Sequence, residues 1–368
     1  MKNITTKKLY QRQITLAEFG EVAQEKLRKA KVIVIGCGGL GNAAAVYLGA
    51  SGIGRIHLVD FDSVDVSNLH RQVFFKVKDI GKSKSKVLAK YIQSVSPFVQ
   101  VSYSKTPISK FNVGKAISDY DIVLDCTDSL PIKYLINDAC VLQDKILVYG
   151  SLYKFDGYVA TFNALGNDGL RSSNLRDAFP EIPENSIPNC SEAGTLNTIV
   201  GIIGLMQANE VIKIVADIGM PLTNQLLIYN SLDNSQYKMK LKNTFVKEKI
   251  QSLFEKEYYT DVNCDPDSHR EQDEELLISA VELKNKIAKC ENLKVISVIE
   301  NMDAELPFKV DLKIPLSRLE IEKLVIEKDK EYVIICNKGI SSYVAVQRIK
   351  KAYPNLNVLN LKNGIINY

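Results

Sequence analysis

The spacing of hydrophobic positions changes period repeatedly along the first two-thirds of the chain. KVIVIG, RIHLVD, VQVSYS, DIVLDC and KILVYG are short β-branched runs with the length of buried strands. Between them, Leu40 to Ala50, Ser83 to Val95 and Pro131 to Leu142 read as helices, the second stopped by Pro97. This alternation predicts an α/β fold of the Rossmann-like kind, a mostly parallel sheet with helices on both faces. GYVATFN and QLLIYNSLD followed by YKMKLK read as antiparallel additions to that sheet. Asn197 to Val215 is apolar nearly all round and reads as a buried helix.

From Asn243 to about Glu275 the pattern dissolves into mixed charge ending in EQDEE, which reads as a linker. A second αβ pattern comes next. Ser279 with Glu282, and Ser317 with Glu320, have the spacing of capping boxes at helix starts. KVISVI, YVIIC and LNVLNL are its strands, with a helix from about Ser341. The expected division is a first domain over 1–242, a linker over 243–275 and a small α/β domain over 276–368.

Composition narrows the partners. With 47 Lys and Arg against 43 Asp and Glu, the net charge of +4 comes with no dense basic run, and charge alone does not suggest nucleic acid. MKNITTKKLYQRQ lacks the apolar core of a signal peptide. The longest apolar run, near Thr198 to Met206, falls well short of the ~18 residues of a spanning helix. A cytoplasmic protein without membrane association is expected. The seven cysteines are scattered and none lies in a C-x-x-C, which argues against a disulfide framework and a clustered zinc site.

The stretch VIVIGCGGLGN places Gly36, Gly38 and Gly41 in the pattern G-x-G-x-x-G between a strand and a helix. Such a turn serves any phosphate, because missing Cβ atoms let backbone N–H groups approach and the helix N-terminus adds partial positive charge. Asp60, ending RIHLVD, suits a ribose hydroxyl in NAD or in ATP equally. The glycines therefore identify a nucleotide and not its type. The residues after Asp60 separate the two. Asn68, Arg71 and Lys84 come after successive elements, and Asp128 is expected to close the strand DIVLDC on the same sheet rim. Several cations with a carboxylate suit a triphosphate with Mg²⁺ better than a pyrophosphate diester.

The set QRQ (Gln11 to Gln13), GCGGLG, DFD, SNLHRQ, GKSK, DCTDS, NCSEAG and VGIIGLMQANEVIK resembles the ThiF/MoeB/HesA enzymes, relatives of ubiquitin-activating enzymes, over about Tyr10 to Lys242. The resemblance implies ATP-dependent adenylylation of the C-terminal glycine carboxylate of a ubiquitin-like sulfur carrier ending in Gly-Gly, by a homodimer. It implies that Gly39 presents its amide to phosphate, with Gly36, Gly38 and Gly41 shaping the turn. Asp60 would bind ribose. Asn68, Arg71 and Gln72 would bind phosphates and Lys84 would reach the departing ones. Asp128 would ligate Mg²⁺, with Ser129 after it where Asn is common. Arg12 would be an arginine finger given to the partner subunit's ATP, acting alone because Leu9 stands where a second Arg is common. Cys190, in the proline-marked loop AFPEIPENSIPNCSEAG, matches the family's crossover cysteine. Members often carry two C-x-x-C pairs. Here Arg171 and Asn174 occupy the first pair's positions and LKNTFVKEKI has no cysteine, so no structural zinc is expected.

YVIICNKGISSYVAVQRI puts Cys336 between a strand and a helix, in a C-x-x-G-x-x-S loop that aims amides at the sulfur. This part resembles a rhodanese. Ser297, Val298, Ile299 and Glu300 stand where Asp-Val-Arg-Glu is usual, and Lys338 is the only loop cation. The resemblance implies that Cys336 carries a persulfide, received from an upstream donor such as a cysteine desulfurase, for a molybdopterin, thiamine or tRNA thiolation pathway. The rival readings are a nicotinamide oxidoreductase, an adenylating enzyme for a peptide or tRNA base, and a non-catalytic carrier-binding scaffold with a degenerate rhodanese domain.

Overall fold

The computed structural model describes residues 4–182, 194–257, 259, 274–289, 292–299, 306–316, 319, 321, 324–327, 329–337, 339–365 and 368. The chain divides into two compact units, the first running to Tyr259 and the second from there to Tyr368.

The first unit opens with α1 (Thr6–Ile14) and α2 (Gly20–Lys29), which no hydrophobic pattern announced. Then come β1 (Lys31–Ile35), α3 (Gly39–Ser51), β2 (Arg55–Val59), α4 (Lys84–Val95) and β3 (Gln100–Ser104). Next are α5 (Val113–Ile117), β4 (Ile122–Asp125), α6 (Leu130–Leu142), β5 (Ile146–Tyr153) and β6 (Asp156–Phe162). The unit ends with α7 (Leu175–Ala178), α8 (Asn197–Ala216), β7 (Gln225–Asn230), β8 (Gln236–Lys240) and α9 (Lys247–Lys256). Local chemistry sets several boundaries. Ser83 accepts the Lys86 N–H to start α4, and Ser129, with proline just inside, starts α6.

Its sheet runs β3-β2-β1-β4-β5-β6-β7-β8. The first five strands are parallel and the last three antiparallel, the expected mixed α/β sheet. The strand order reverses between β1 and β4, and ligands of such sheets bind at that crevice. α8 packs its Ile199, Val200 and Ile203 into one core cluster with Val148, Val159 and Leu227. Each such burial stabilises by about 1.5–3 kcal/mol. This helix is long and apolar enough to cross a membrane by length and composition, with half of that window buried in the fold. It is not buried all round as expected, since Thr198, Leu205 and Asn209 are exposed.

The expected linker also changes. Residues 243–245 bind back to the first unit and α9 packs on α6, with Ile250 fully buried. Mixed charge hid an amphipathic helix whose buried side is one narrow stripe.

The second unit contains β9 (Leu277–Ile278), α10 (Ala280–Ala288), β10 (Leu293–Ser297), β11 (Leu312–Lys313), β12 (Glu331–Ile335), α11 (Ile340–Ala352) and β13 (Val358–Leu361). All strands are parallel, in the order β11-β10-β12-β13-β9. Both sheet faces are covered, as parallel sheets require. Ile334 joins a cluster with Val344 and Ile349 of α11, while Val333 and Ile335 join another with Leu283 of α10. The capping box of Ser279 and Glu282 is formed, and that of Ser317 and Glu320 lies outside the described residues.

Candidate active site

The carboxyl ends of β1, β2 and β4 share one level, because Ile35 is in register with both Val59 and Asp125. Gly36 comes directly after β1, with φ of +94° and the space of a Cβ closed by the Cys126 carbonyl oxygen at 2.6 Å. Gly38 caps α3 and Gly39 begins it, so first-turn amides without helical partners face the crevice. Gly41 lets α3 approach β1, since a Cβ there would lie 1.9 Å from the Gly36 oxygen.

Asp60 is tied to this turn. Its Oδ2 accepts the Cys37 N–H at 2.7 Å and its Oδ1 accepts the Asp62 N–H at 2.8 Å. Burial pushes its carboxyl up to about 6, against the opposing pull of Lys84. Lys84, only 7% exposed at the start of α4, donates to Asp62 at 2.8 Å. Asn68 accepts the backbone N–H groups of Arg71 and Gln72 at its carbonyl, closing one turn. Arg71 donates to the Ser67 carbonyl at 2.8 Å, and its own carbonyl oxygen lies 3.8 Å from the Cβ position of Gly39. Gln72 is 3% exposed, with its Nε2 against Gly38 and its Oε1 without a hydrogen-bond partner. A buried unsatisfied amide oxygen beside a phosphate-type turn is a place for a ligand donor.

Asp128 does not close a strand. β4 stops at Asp125, whose Oδ1 accepts the Thr127 N–H at 3.0 Å and the Thr127 hydroxyl at 2.7 Å, turning the chain. Asp128 then lies in the loop after it, exposed and without a polar partner among the described residues. Ser129 caps α6 by accepting the Ile132 N–H, which leaves its hydroxyl proton to donate.

Sequence reasoning missed the support beneath this rim. Lys133, buried in α6, pairs with buried Asp125 at 3.1 Å and donates to the Gly150 carbonyl at 2.7 Å. Gln207 of α8 donates to the Asp125 carbonyl at 2.7 Å. The available signal was a lysine inside the apolar run LPIKYLINDACVL. Burial raises the thiol pKa of Cys37 and Cys126, which makes them inert at neutral pH.

Arg12 is not brought to this crevice. Tyr10 of α1 lies against Gly52, and Gln13 donates to the Ser51 carbonyl, so α1 docks at the far end of α3. A 13-residue helix separates it from the glycine turn by about 20 Å. Arg12 is exposed there, with no polar partner among the described residues. Cys190 lies outside the described residues.

In the second unit, Cys336 comes directly after β12, and its Sγ accepts from Gly339 N at 3.2 Å, Ser342 N at 3.3 Å and Ser342 Oγ at 3.1 Å. This is a built anion cradle at the start of α11. At the positions where C-x-x-C was absent, Arg171 donates to the Asn163 carbonyl and pairs with Asp144, while Asn174 donates to the Phe245 carbonyl at 3.0 Å.

Comparison with known proteins agrees with this arrangement. Residues 10–249 match the ThiF family. A sulfur carrier protein adenylyltransferase of Thermus thermophilus is 39% identical over 62% of this chain and 85% of its own. The probable adenylyltransferase/sulfurtransferase MoeZ of Mycobacterium tuberculosis is 32% identical over 97% of this chain and 91% of its own. Among solved structures, Escherichia coli MccB with ATP shares the fold at TM-score 0.54 and 24% identity, covering 61% of this chain and 67% of that one. A glycine turn at the sheet's switch point, a carboxylate and two cations behind it, and a family match over most of the chain lead to one assignment: the protein belongs to the ThiF family.

Proposed function

We propose that this protein adenylates the C-terminal glycine carboxylate of a ubiquitin-like sulfur carrier with ATP and then replaces AMP by sulfur. The observation that carries this reading is the pairing of the glycine crevice with a second unit that cradles Cys336, in a chain matched along 97% of its length by a MoeZ relative. A carboxylate oxygen of the carrier attacks the α-phosphorus, the bond to the β-phosphate breaks and pyrophosphate leaves. The first-turn amides of α3 and the side chains of Asn68, Arg71 and Gln72 would hold the phosphates, and Asp60 the ribose. Lys84 would neutralise charge on the leaving group.

Asp128 fits Mg²⁺, because it offers an exposed carboxylate with no competing partner at the crevice; nucleotide phosphates and water would complete the shell. Bound there, the metal would neutralise phosphate charge. Arg12 would act on a second copy's ATP, since its own crevice lies at the other end of α3. Exposed Leu9 and Leu16, with Tyr47 one turn before the docking point, offer apolar surface for a homodimer.

For sulfur, the terminal atom of a Cys336 persulfide, supplied by an upstream persulfide donor, would attack the acyl adenylate and AMP would leave. The Cys190 thiolate would then attack Cys336 Sγ. A thiocarboxylate departs, the two cysteines form a disulfide, and a cellular dithiol reduces it. The Cys336→Ala variant tests the second unit's role. It should keep carrier-dependent adenylation and lose thiocarboxylate formation from a persulfide donor, read as the carrier's mass. Thiocarboxylate made at the wild-type rate would show that the unit is not the donor.

A further inference from the structure

In β13, Val358 packs into the cluster of Val344 and Ile349 of α11, and Leu361 into the other one with Leu283 of α10. Side chains alternate across a strand, so Asn360 shares the α11 face with Val358. It is fully buried there, where an apolar side chain is the ordinary choice. Its Nδ2 donates to the Gly339 carbonyl at 2.9 Å. Gly339 is the N-cap of α11 and has φ of +79°. The Leu361 oxygen and the backbone nitrogens of Asn363 and Gly364 each lie 2.9 Å from where its Cβ would stand. A glycine cap has no side chain to fix its own place, so β13 and the turn after it fix it instead. Cys336 is held from the same side, its carbonyl accepting the Ile365 N–H at 2.9 Å.

The residue whose carbonyl Asn360 holds is the one whose N–H points at Cys336 Sγ. A rotation of Gly339 would turn both groups together. We propose that Asn360 is a positioning residue for Cys336: held from β13, Gly339 keeps its N–H on the sulfur beside the Ser342 N–H and hydroxyl. A buried amide in place of an apolar side chain costs desolvation, which its hydrogen bond offsets. What the amide adds is direction, because donors already converge on one point before charge forms there. The sulfur is anionic as a thiolate and again as a persulfide, and fixed N–H donors favour both. The inference rests on the sulfur-transfer reading above for its purpose, while the effect on the thiol itself does not depend on that reading.

The test uses the full-length protein and iodoacetamide, with mass spectrometry reading each cysteine separately. Asn360→Leu keeps the size of the side chain and Asn360→Ala leaves a gap, so the two differ in packing and share the lost donor. At about pH 7, alkylation of Cys336 should slow roughly tenfold in both variants. At about pH 10, where thiols ionise with or without a cradle, it should stay within about threefold of the wild type. A role confined to packing would change access to the sulfur and move both rates alike. Ser342→Ala removes a donor directly and should show the same split. Neutral-pH rates unchanged in both Asn360 variants, rates moved equally at both pH values, or a wild-type Cys336 no faster than buried Cys140 would overturn the proposal. Single-turnover thiocarboxylate formation from a persulfide donor should fall with the alkylation rate. If alkylation shows the split while thiocarboxylate forms at the wild-type rate, Asn360 positions the sulfur as proposed and the donor reading has failed.

Discussion

At the level of single residues, Asp60 shows how burial sets chemistry. Its carboxyl is raised to about 6 by desolvation. Between pH 4 and 6, in rough terms, the folded protein holds a proton here that the unfolded chain has lost. Its contribution to stability therefore falls as pH rises through that window. Binding would run the other way, because an ionised Asp60 would accept two ribose hydrogen bonds and a protonated one fewer. The Michaelis constant for ATP should rise several-fold as pH drops from 7 to below 6, and Asp60→Asn should flatten that limb. A wild-type pH profile with no inflection near 6 would mean that Asp60 does not touch the nucleotide. The places of Asp60 and Lys84 in the fold were legible, because the β-branched run that ends at Val59 and the helix that begins at Lys84 are both marked in the sequence. Lys133 and Asp125 were not, because a buried pair reads as an ordinary acid and an ordinary lysine until the fold brings them together.

At the level of elements, the strands of the parallel sheet were readable from β-branched runs, and the glycine turn from spacing. The turn's glycines are a packing requirement as well as a ligand requirement. Alanine at 41 favours a helix by about 1 kcal/mol in isolation. Here its Cβ would meet the Gly36 oxygen at 1.9 Å, and backbone cannot move aside as a side chain can. Gly41→Ala should therefore destabilise by about 3 kcal/mol, seen as a lower unfolding midpoint in urea. An unchanged midpoint would show that α3 and β1 are not so closely packed. The elements that escaped sequence reading are α1, α2, α5, α7, α9 and the edge strands β9 and β11. The strands have two residues each, too short for a period to show. α7 has four residues and is held by an Asn174–Asp177 capping box. Asp177 also accepts from Thr244 and Phe245, so hydrogen bonds fasten the two segments whose cysteine positions are vacant.

At the level of the whole molecule, the sequence announced two α/β units and misplaced the border between them. The mixed-charge stretch after Asn243 folds back because α9 finds α6 and Glu257 finds Arg176, contacts that no local pattern encodes. Arg12 belongs to this scale as well. A cation stationed about 20 Å from its own crevice serves catalysis only if a second copy supplies the complement. One assay addresses the site and its sharing together: exchange of labelled pyrophosphate into ATP, dependent on Mg²⁺ and a carrier ending in Gly-Gly. The wild type should exchange, and Asp128→Ala and Arg12→Ala should each lose at least about a hundredfold. Activity should partly recover when the two variants are mixed and allowed to trade subunits. Exchange at the wild-type rate by Asp128→Ala would contradict the placement of the adenylation site at this crevice.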